Sequence, residues 1–251
     1  MTRLGECPSV SIKALGESLR VTPDTSTLEA RVSDWLQENG WFSDRILLMD
    51  MRVNIQMPML PRFRDLYEEN REMVGWIQIE GTKANAPVMQ TPDDPEFYLR
   101  HGFDHEETYI GLPFLDERND IFNRSHNMIV YAHNLYNSGR MFGQISQYEN
   151  KSFLEKHPIV KFDLLFERRE YEVFAMFRSR EYRGQETGFR YYDYIDLSDQ
   201  KRFNEFVRQV KEISLQETGI IPVWGDEFLT LSTCSYHVNK GSFVVVCRRV
   251  R

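Results

Sequence analysis

From Val74 onward the apolar period of the chain drops from about 3.6 residues to 2, and this switch constrains the fold more than any other feature. Runs at 74–79, 86–89, 108–115, 127–132, 159–166, 171–177, 228–233 and 243–250 read as short strands. Two of them alternate cleanly. Val160, Phe162, Leu164 and Phe166 share one parity, and so do Tyr171, Val173, Ala175 and Phe177. Eight short strands with few helices predict a mainly β fold, an eight-stranded closed or nearly closed β-barrel. With 41% hydrophobic and 13% aromatic residues, the chain has the material for a sizeable core.

Upstream of the switch the pattern is helical. Ser26 and Glu29 form a capping-box pair, Leu28, Val32, Trp35 and Leu36 fall on one face, and Gly40 supplies a stop, so a helix is expected over 26–40. Pro61 starts a second helix at its first turn, with Phe63, Leu66 and Tyr67 on a face. The expected organisation is a loose arm at 1–25, an N-terminal helical layer at 26–72 and the barrel at 73–251. Two helices interrupt the strands: 138–148, with Met141, Phe142 and Ile145, and 198–213, with Phe203, Phe206, Val207 and Val210 on one stripe. The second lies between the sixth and seventh strands. No internal repeat is present.

Composition excludes several functions. Lysine and arginine number 31 against 38 acidic residues, a net charge of −7, so a broad nucleic-acid surface is not expected. No run of 18 apolar residues exists to cross a membrane, and no signal-peptide core is visible. The three cysteines, Cys7, Cys234 and Cys247, rule out a fully paired disulfide framework and leave at least one free thiol.

Cys234 sits in FLTLSTCSY, at the C-terminal end of a strand, where a thiol can point out of the barrel wall into a cleft. It can equally be a buried cysteine acting as a small hydrophobe. His133 follows the apolar strand NMIVYA and opens a polar loop, a good place for a proton carrier near neutral pH, or for a loop histidine bonded to backbone. His101 and His105 in HGFDHEE have the spacing of two metal ligands on a helix, but Gly102 and the missing helical period argue for a loop. No metal or cofactor is expected. The other histidines, His126, His157 and His237, read as surface residues.

Taken together, the flanks change the weighing. Across about residues 72–250 the chain resembles the sortases, and most closely their class B members. The resemblance rests on VGWIQIEG, EFYLRHGF, GLPFLD, NMIVYAHN, MFGQISQY, FLEKHPIVKFD, TLSTCSY and FVVVCRRV, in that order. TLxTC, here residues 230–234, is the specific signal; the histidine motif, usually YGHN, here reads YAHN. The resemblance implies a cysteine transpeptidase on an eight-stranded barrel, held at the outer face of a Gram-positive membrane, although residues 1–25 carry no apolar anchor segment. Cys234 would attack a carbonyl in the C-terminal sorting signal of a secreted protein and form a thioester, with His133 as general acid and base. An amine on a peptidoglycan precursor or a pilin lysine would then resolve it. The class suggests an NPxTx-like signal. It also implies extra N-terminal helices and a helix between the sixth and seventh strands.

One departure concerns the oxyanion. Sortases use a backbone N–H, here placed near Ser235, and an arginine immediately before the last strand's FVVV-like run. That position is Ser242. Arg248 has the right parity but lies six strand residues, roughly 20 Å, away. Lys240 is nearer and can enter from the loop, though it offers a point charge rather than a planar fork. Two other readings therefore stay open: a plain Cys–His peptidase, and an impaired or non-catalytic peptide-binding module. If the last two strands pair 234 with 243, Cys247 faces position 230, too far from Cys234 for a disulfide. The aromatic stretch 182–194 stands open between groove wall and ordinary surface.

Overall fold

The computed structural model describes residues 45–49, 52–56, 59–122, 125–135, 137–182, 184, 186–235 and 241–250, with only the backbone path at 45–49, 52–56, 234 and 235. The chain divides into two compact units, Met1–Pro61 and Arg62–Arg251. In the first, β1 (Arg45–Met49) and β2 (Arg52–Gln56) form an antiparallel hairpin. The stretch 26–72, expected as a helical layer, therefore contains two strands. The helix expected over 26–40 lies outside the described residues, as do the arm at 1–25 and Cys7. The helix expected at Pro61 is present as a 3-10 turn, Pro61–Phe63, running into α1 (Arg64–Glu69), with Phe63 buried.

In the second unit, β3 (Met73–Gln78), β4 (Asn85–Met89), β5 (Phe114–Leu115) and β6 (Asn127–Ala132) lead to a small hairpin of β7 (Asn134–Leu135) and β8 (Arg140–Met141). After α2 (Lys151–Lys156) come β9 (Ile159–Leu164), β10 (Glu170–Arg180), α3 (Gln200–Ile213), β11 (Phe228–Ser235) and β12 (Gly241–Arg249). Eight strands close into a barrel in the order β10-β12-β11-β6-β5-β4-β3-β9. All neighbours in that ring are antiparallel except β4–β5 and β6–β11, which are parallel. The helix between the sixth and seventh barrel strands is α3. Its N-cap is Asp199, whose side chain accepts from the Arg202 N–H at 2.8 Å.

Two sequence expectations gave way to backbone geometry. The strand expected over 108–115 is cut to Phe114–Leu115. Gly111 takes φ 61°, and a Cβ there would sit 2.5 Å from the Leu99 carbonyl oxygen, so the segment folds against 98–100 instead of extending. The Thr108 N–H bonds Arg100 O and the Leu112 N–H bonds Tyr98 O, both at 2.8 Å. The helix expected over 138–148 is also absent. Gly139 and Met141 adopt positive φ, and Gly143 packs on the Leu135 carbonyl, which produces the β7–β8 hairpin and a 3-10 turn, Ile145–Glu149. The apolar residues identified there still serve the core, with Phe142 and Ile145 buried.

One face of the sheet carries α3. Ile129 of β6, Phe228 of β11, Val244 and Val246 of β12, and Ala175 and Phe177 of β10 pack beneath Phe203, Phe206 and Val210. The Phe206 ring meets Phe228 edge-on at 5.3 Å between centroids. The helix stripe read from sequence is thus the stripe that is buried. In β11–β12 the register pairs Cys234 with Ser242, one residue away from the pairing expected with 243. Cys247 consequently faces Leu229, not position 230, and remains a free buried thiol whose pKa burial pushes up. Among the described residues no helix is long and apolar enough to cross a membrane.

Candidate active site

The β6–β11 pair places the two residues singled out by chemistry. Six successive parallel pairs, from Phe228↔Asn127 to Thr233↔Ala132, hold one register. Its offset is 101 residues, as in the last pair, where the Thr233 hydroxyl donates to Ala132 O at 2.7 Å. His133 and Cys234 are separated by the same 101 residues, and each directly follows the last paired residue of its strand. Paired strands run about 4.8 Å apart. At the other end of the pair the register is pinned by a buried contact, the Thr230 hydroxyl donating to Asn127 Oδ1 at 2.8 Å. Asn127 in turn donates to Tyr194 O at 2.9 Å.

His133 is partly buried and its Nε2 lies 2.7 Å from the Leu99 carbonyl oxygen. A carbonyl only accepts, so Nε2 carries the proton in this contact and Nδ1 is the nitrogen left to gain or lose one. Leu99 is itself held. Its neighbour Tyr98 is buried, donates its hydroxyl to Glu72 and accepts from Asn70 Nδ2 at 2.7 Å. Nothing in the leucine side chain marks this role. Only the EFYLRHGF segment, one of the motifs of the sortase resemblance, pointed to that loop.

Position 242 stands directly across the hairpin from Cys234, and across β10 from Ser179. The same face of the sheet carries Tyr131, Ser232 and the buried Tyr191 from the turn Tyr191–Asp193. Tyr191 Oη lies 2.7 Å from Ser232 Oγ; burial pushes its pKa up to about 12, against the opposing influence of the Ser232 and Ser242 hydroxyls. Beside it, the Tyr131 hydroxyl donates to Asp116 at 3.0 Å, and Arg118 grips the same carboxylate at 2.9 and 2.8 Å. The Tyr131 pKa is raised, chiefly by burial. Tyr191 and Ser232 were not singled out from the sequence. Ser232 was legible only as the residue sharing strand parity with Cys234, and Tyr191 only as one of many aromatics in 182–194.

The remaining candidates fall elsewhere. Ser235 pairs with Gly241 at the strand end, and Lys240 lies outside the described residues. Arg248 pairs in register with Phe228 and Glu172 and forms an ion pair with Glu172, at the far end of β12 from Ser242. His101 and His105 sit in a loop closed by a His101↔Glu107 bridge. His101 stacks on Phe97 at 3.9 Å, and His105 reaches Glu72 at 3.0 Å. Among the described residues no three His, Cys, Asp or Glu side chains form a group able to hold a metal ion. His126 faces Asp196 at 3.3 Å, His157 Nδ1 lies 2.7 Å from Glu80 O, and His237 lies outside the described residues.

Comparison with known proteins places this arrangement. Residues 77–250 match the model of the Sortase domain family. Sortase B of Staphylococcus aureus is 30% identical over 193 residues, covering 76% of this chain and 75% of that protein. Sortase B of Listeria monocytogenes is 30% identical over 195 residues, covering 77% and 76%. A solved Staphylococcus aureus sortase B–substrate complex superposes with a TM-score of 0.69 at 25% identity, over 96% of this chain and 99% of that one.

Proposed function

The chain belongs to the sortase family, in its class B branch, and is a transpeptidase of that type; from that premise we propose that Cys234 is its nucleophile, His133 its proton carrier and a C-terminal sorting signal of secreted proteins its substrate. The observation that supports the assignment is the β6–β11 register, whose last pair, Thr233↔Ala132, immediately precedes Cys234 on one strand and His133 on the other. The sulfur of Cys234 attacks the carbonyl carbon of the scissile peptide bond, forming the C–S bond while the carbonyl oxygen takes the negative charge. The thiol proton passes to His133 Nδ1. Collapse of the tetrahedral centre breaks the C–N bond, and Nδ1 returns that proton to the leaving amine. In the second half an acceptor amine attacks the thioester, gives its proton to Nδ1, and expels the thiolate. The Nε2–H···O bond to Leu99 holds one ring face through both halves, so the same nitrogen serves each transfer.

The acceptor is proposed to be an amine of peptidoglycan precursor or a pilin lysine, and the place of action the outer face of a Gram-positive membrane. The test is intact-mass and peptide-mapping analysis after incubation with a pooled library of candidate sorting peptides, with and without triglycine. A thioester adduct on Cys234, converted by triglycine to an amide-linked product, is expected. Hydrolysis that triglycine neither accelerates nor enters would replace the proposal with a Cys–His peptidase. A third reading is favoured by one observation, Ser242 at the family's arginine position: a module that binds the peptide without reacting. Saturable peptide binding with no adduct would establish it.

A further inference from the structure

The oxyanion formed at Cys234 needs a donor, and the described arginines flanking Ser242 are turned to other work. Arg178 and Arg180 pair with Phe243 and Gly241, the register neighbours of Ser242, so strand alternation gives them the opposite face. Arg178 clasps Glu149 with Nε and Nη2, both at 2.9 Å. Arg180 lies over the Tyr182 ring and 3.9 Å from Glu186. Arg118 is bound to Asp116 and to Tyr192 O.

What does meet Ser242 is a phenol. On the shared face, Ser232 and Ser242 are diagonal neighbours across β11 and β12, because Ser232 pairs with Val244 and Cys234 with Ser242. Diagonal positions lie about 7–8 Å apart, close enough for one hydroxyl between them to reach both. Tyr191 Oη occupies that place, its ring wedged edge-on against Phe177 at 5.9 Å and Tyr192 at 5.2 Å. Ser232 and Tyr191 are each 3% exposed, whereas Ser242 is only partly buried. The row of three hydroxyls therefore reaches solvent at Ser242.

Each hydroxyl has one proton to give and can accept others. The phenol is the strongest donor of the three and stays protonated throughout the neutral range. Directed from Ser232 through Tyr191 to Ser242, the row leaves the Ser242 proton free for an acceptor beside position 234, its partner across the hairpin, and each bond polarises the next. We propose that Ser242 replaces the family's arginine as a neutral oxyanion donor, and that Tyr191 is the positioning residue that aims its proton. The inference rests on the transpeptidase reading and goes beyond it, because it assigns an oxyanion donor to a site where the arginine is missing.

The test is a double-mutant cycle on the rate of thioester formation with whichever peptide acylates the parent, set beside the rate of iodoacetamide alkylation, which builds no oxyanion. Ser242→Ala is expected to slow acylation about a hundredfold, the loss of one oxyanion donor. Tyr191→Phe removes a single oxygen and should slow it about five- to tenfold. Ser242→Thr should restore most of the rate. In the double variant Tyr191→Phe should add nothing to Ser242→Ala, and alkylation should stay within twofold of the parent throughout. Additive losses, a Tyr191→Phe effect under twofold, or alkylation falling in parallel with acylation would each overturn the relay while leaving the transpeptidase intact. A parent that forms no thioester with any peptide would overturn the transpeptidase reading itself, and the relay with it.

Discussion

The half of the sheet face under α3 and the half under the Tyr191–Asp193 turn belong to the same strands but are built from different chemistry. Under α3 the face is Ile129, Phe228, Val244, Val246 and Ala175, closed by phenylalanines of the helix. Two to four residues further along the strands it becomes Tyr131, Ser232, Ser242 and Ser179, closed by a tyrosine. The apolar half draws its stability from area removed from water, which is large and insensitive to small changes in angle. The hydroxyl half depends on distances good to a few tenths of an ångström. The apolar half thus fixes strand register, and continuous hydrogen-bonded ladders carry that register to where the polar half needs it.

Perturbing the polar half should abolish chemistry without unfolding. Cys234→Ala is expected to lower peptide turnover more than a thousandfold with an unchanged melting temperature; turnover within tenfold of the parent would remove Cys234 from the nucleophile role. His133→Ala should be similarly inactive, while His101→Ala and His105→Ala stay within threefold, as measured by the same assay. Perturbing the apolar half should do the reverse. Phe206→Ala should cost about 3–5 kcal/mol of stability in urea unfolding, with acylation by the remaining folded protein little changed. If that variant loses acylation faster than it loses folded protein, the two halves are less separable than their chemistry suggests.

A charge placed in the polar half sharpens the contrast. Ser242→Arg should raise the acylation rate about tenfold, since a charge-assisted donor is roughly twice as strong as a neutral one. In that background Tyr191→Phe should lose its effect. No gain in single-turnover acylation would mean that backbone N–H groups hold the oxyanion unaided. The smallest effect lies behind the histidine, at Glu72. Burial alone would raise its pKa, but the hydrogen bonds from Tyr98 and His105 and the charge of His105 outweigh burial and leave it below the usual value. A depressed carboxyl stabilises the fold above its ordinary pKa, and that contribution is lost as pH falls through the folded value. Glu72→Gln should therefore flatten the acid limb of a stability profile taken from pH 6 to 3 by a small margin.

Period and parity made most of the barrel legible, because strands covered on one face must alternate. The strands were located in this way, though of the run expected over 108–115 only Phe114–Leu115 is strand, and the stripe Phe203, Phe206 and Val210 was read from the helical period. What failed was local backbone geometry. Gly111 and Gly143 each hold a close backbone approach that no hydropathy pattern records, and each lies in a stretch where the expected strand or helix does not form. His133 and Cys234 were visible because their residue types carry chemistry. Their partners were less so: the Leu99 contact is a backbone atom, and Tyr191 enters from a turn far along the chain. The hairpin register, misjudged by one residue, shows the limit most plainly. An anchor such as FVVV locates a strand but not its rung.

The central claim is that one register makes positions 133 and 234 neighbours, and a thiol at each position tests it directly. The His133→Cys variant, oxidised mildly and digested, should yield a peptide in which residues 133 and 234 are joined by a disulfide, because adjacent strand positions fall within the separation such a bond requires. Two freely alkylated thiols at 133 and 234 under the same oxidation would contradict the register, and with it the pairing of nucleophile and proton carrier.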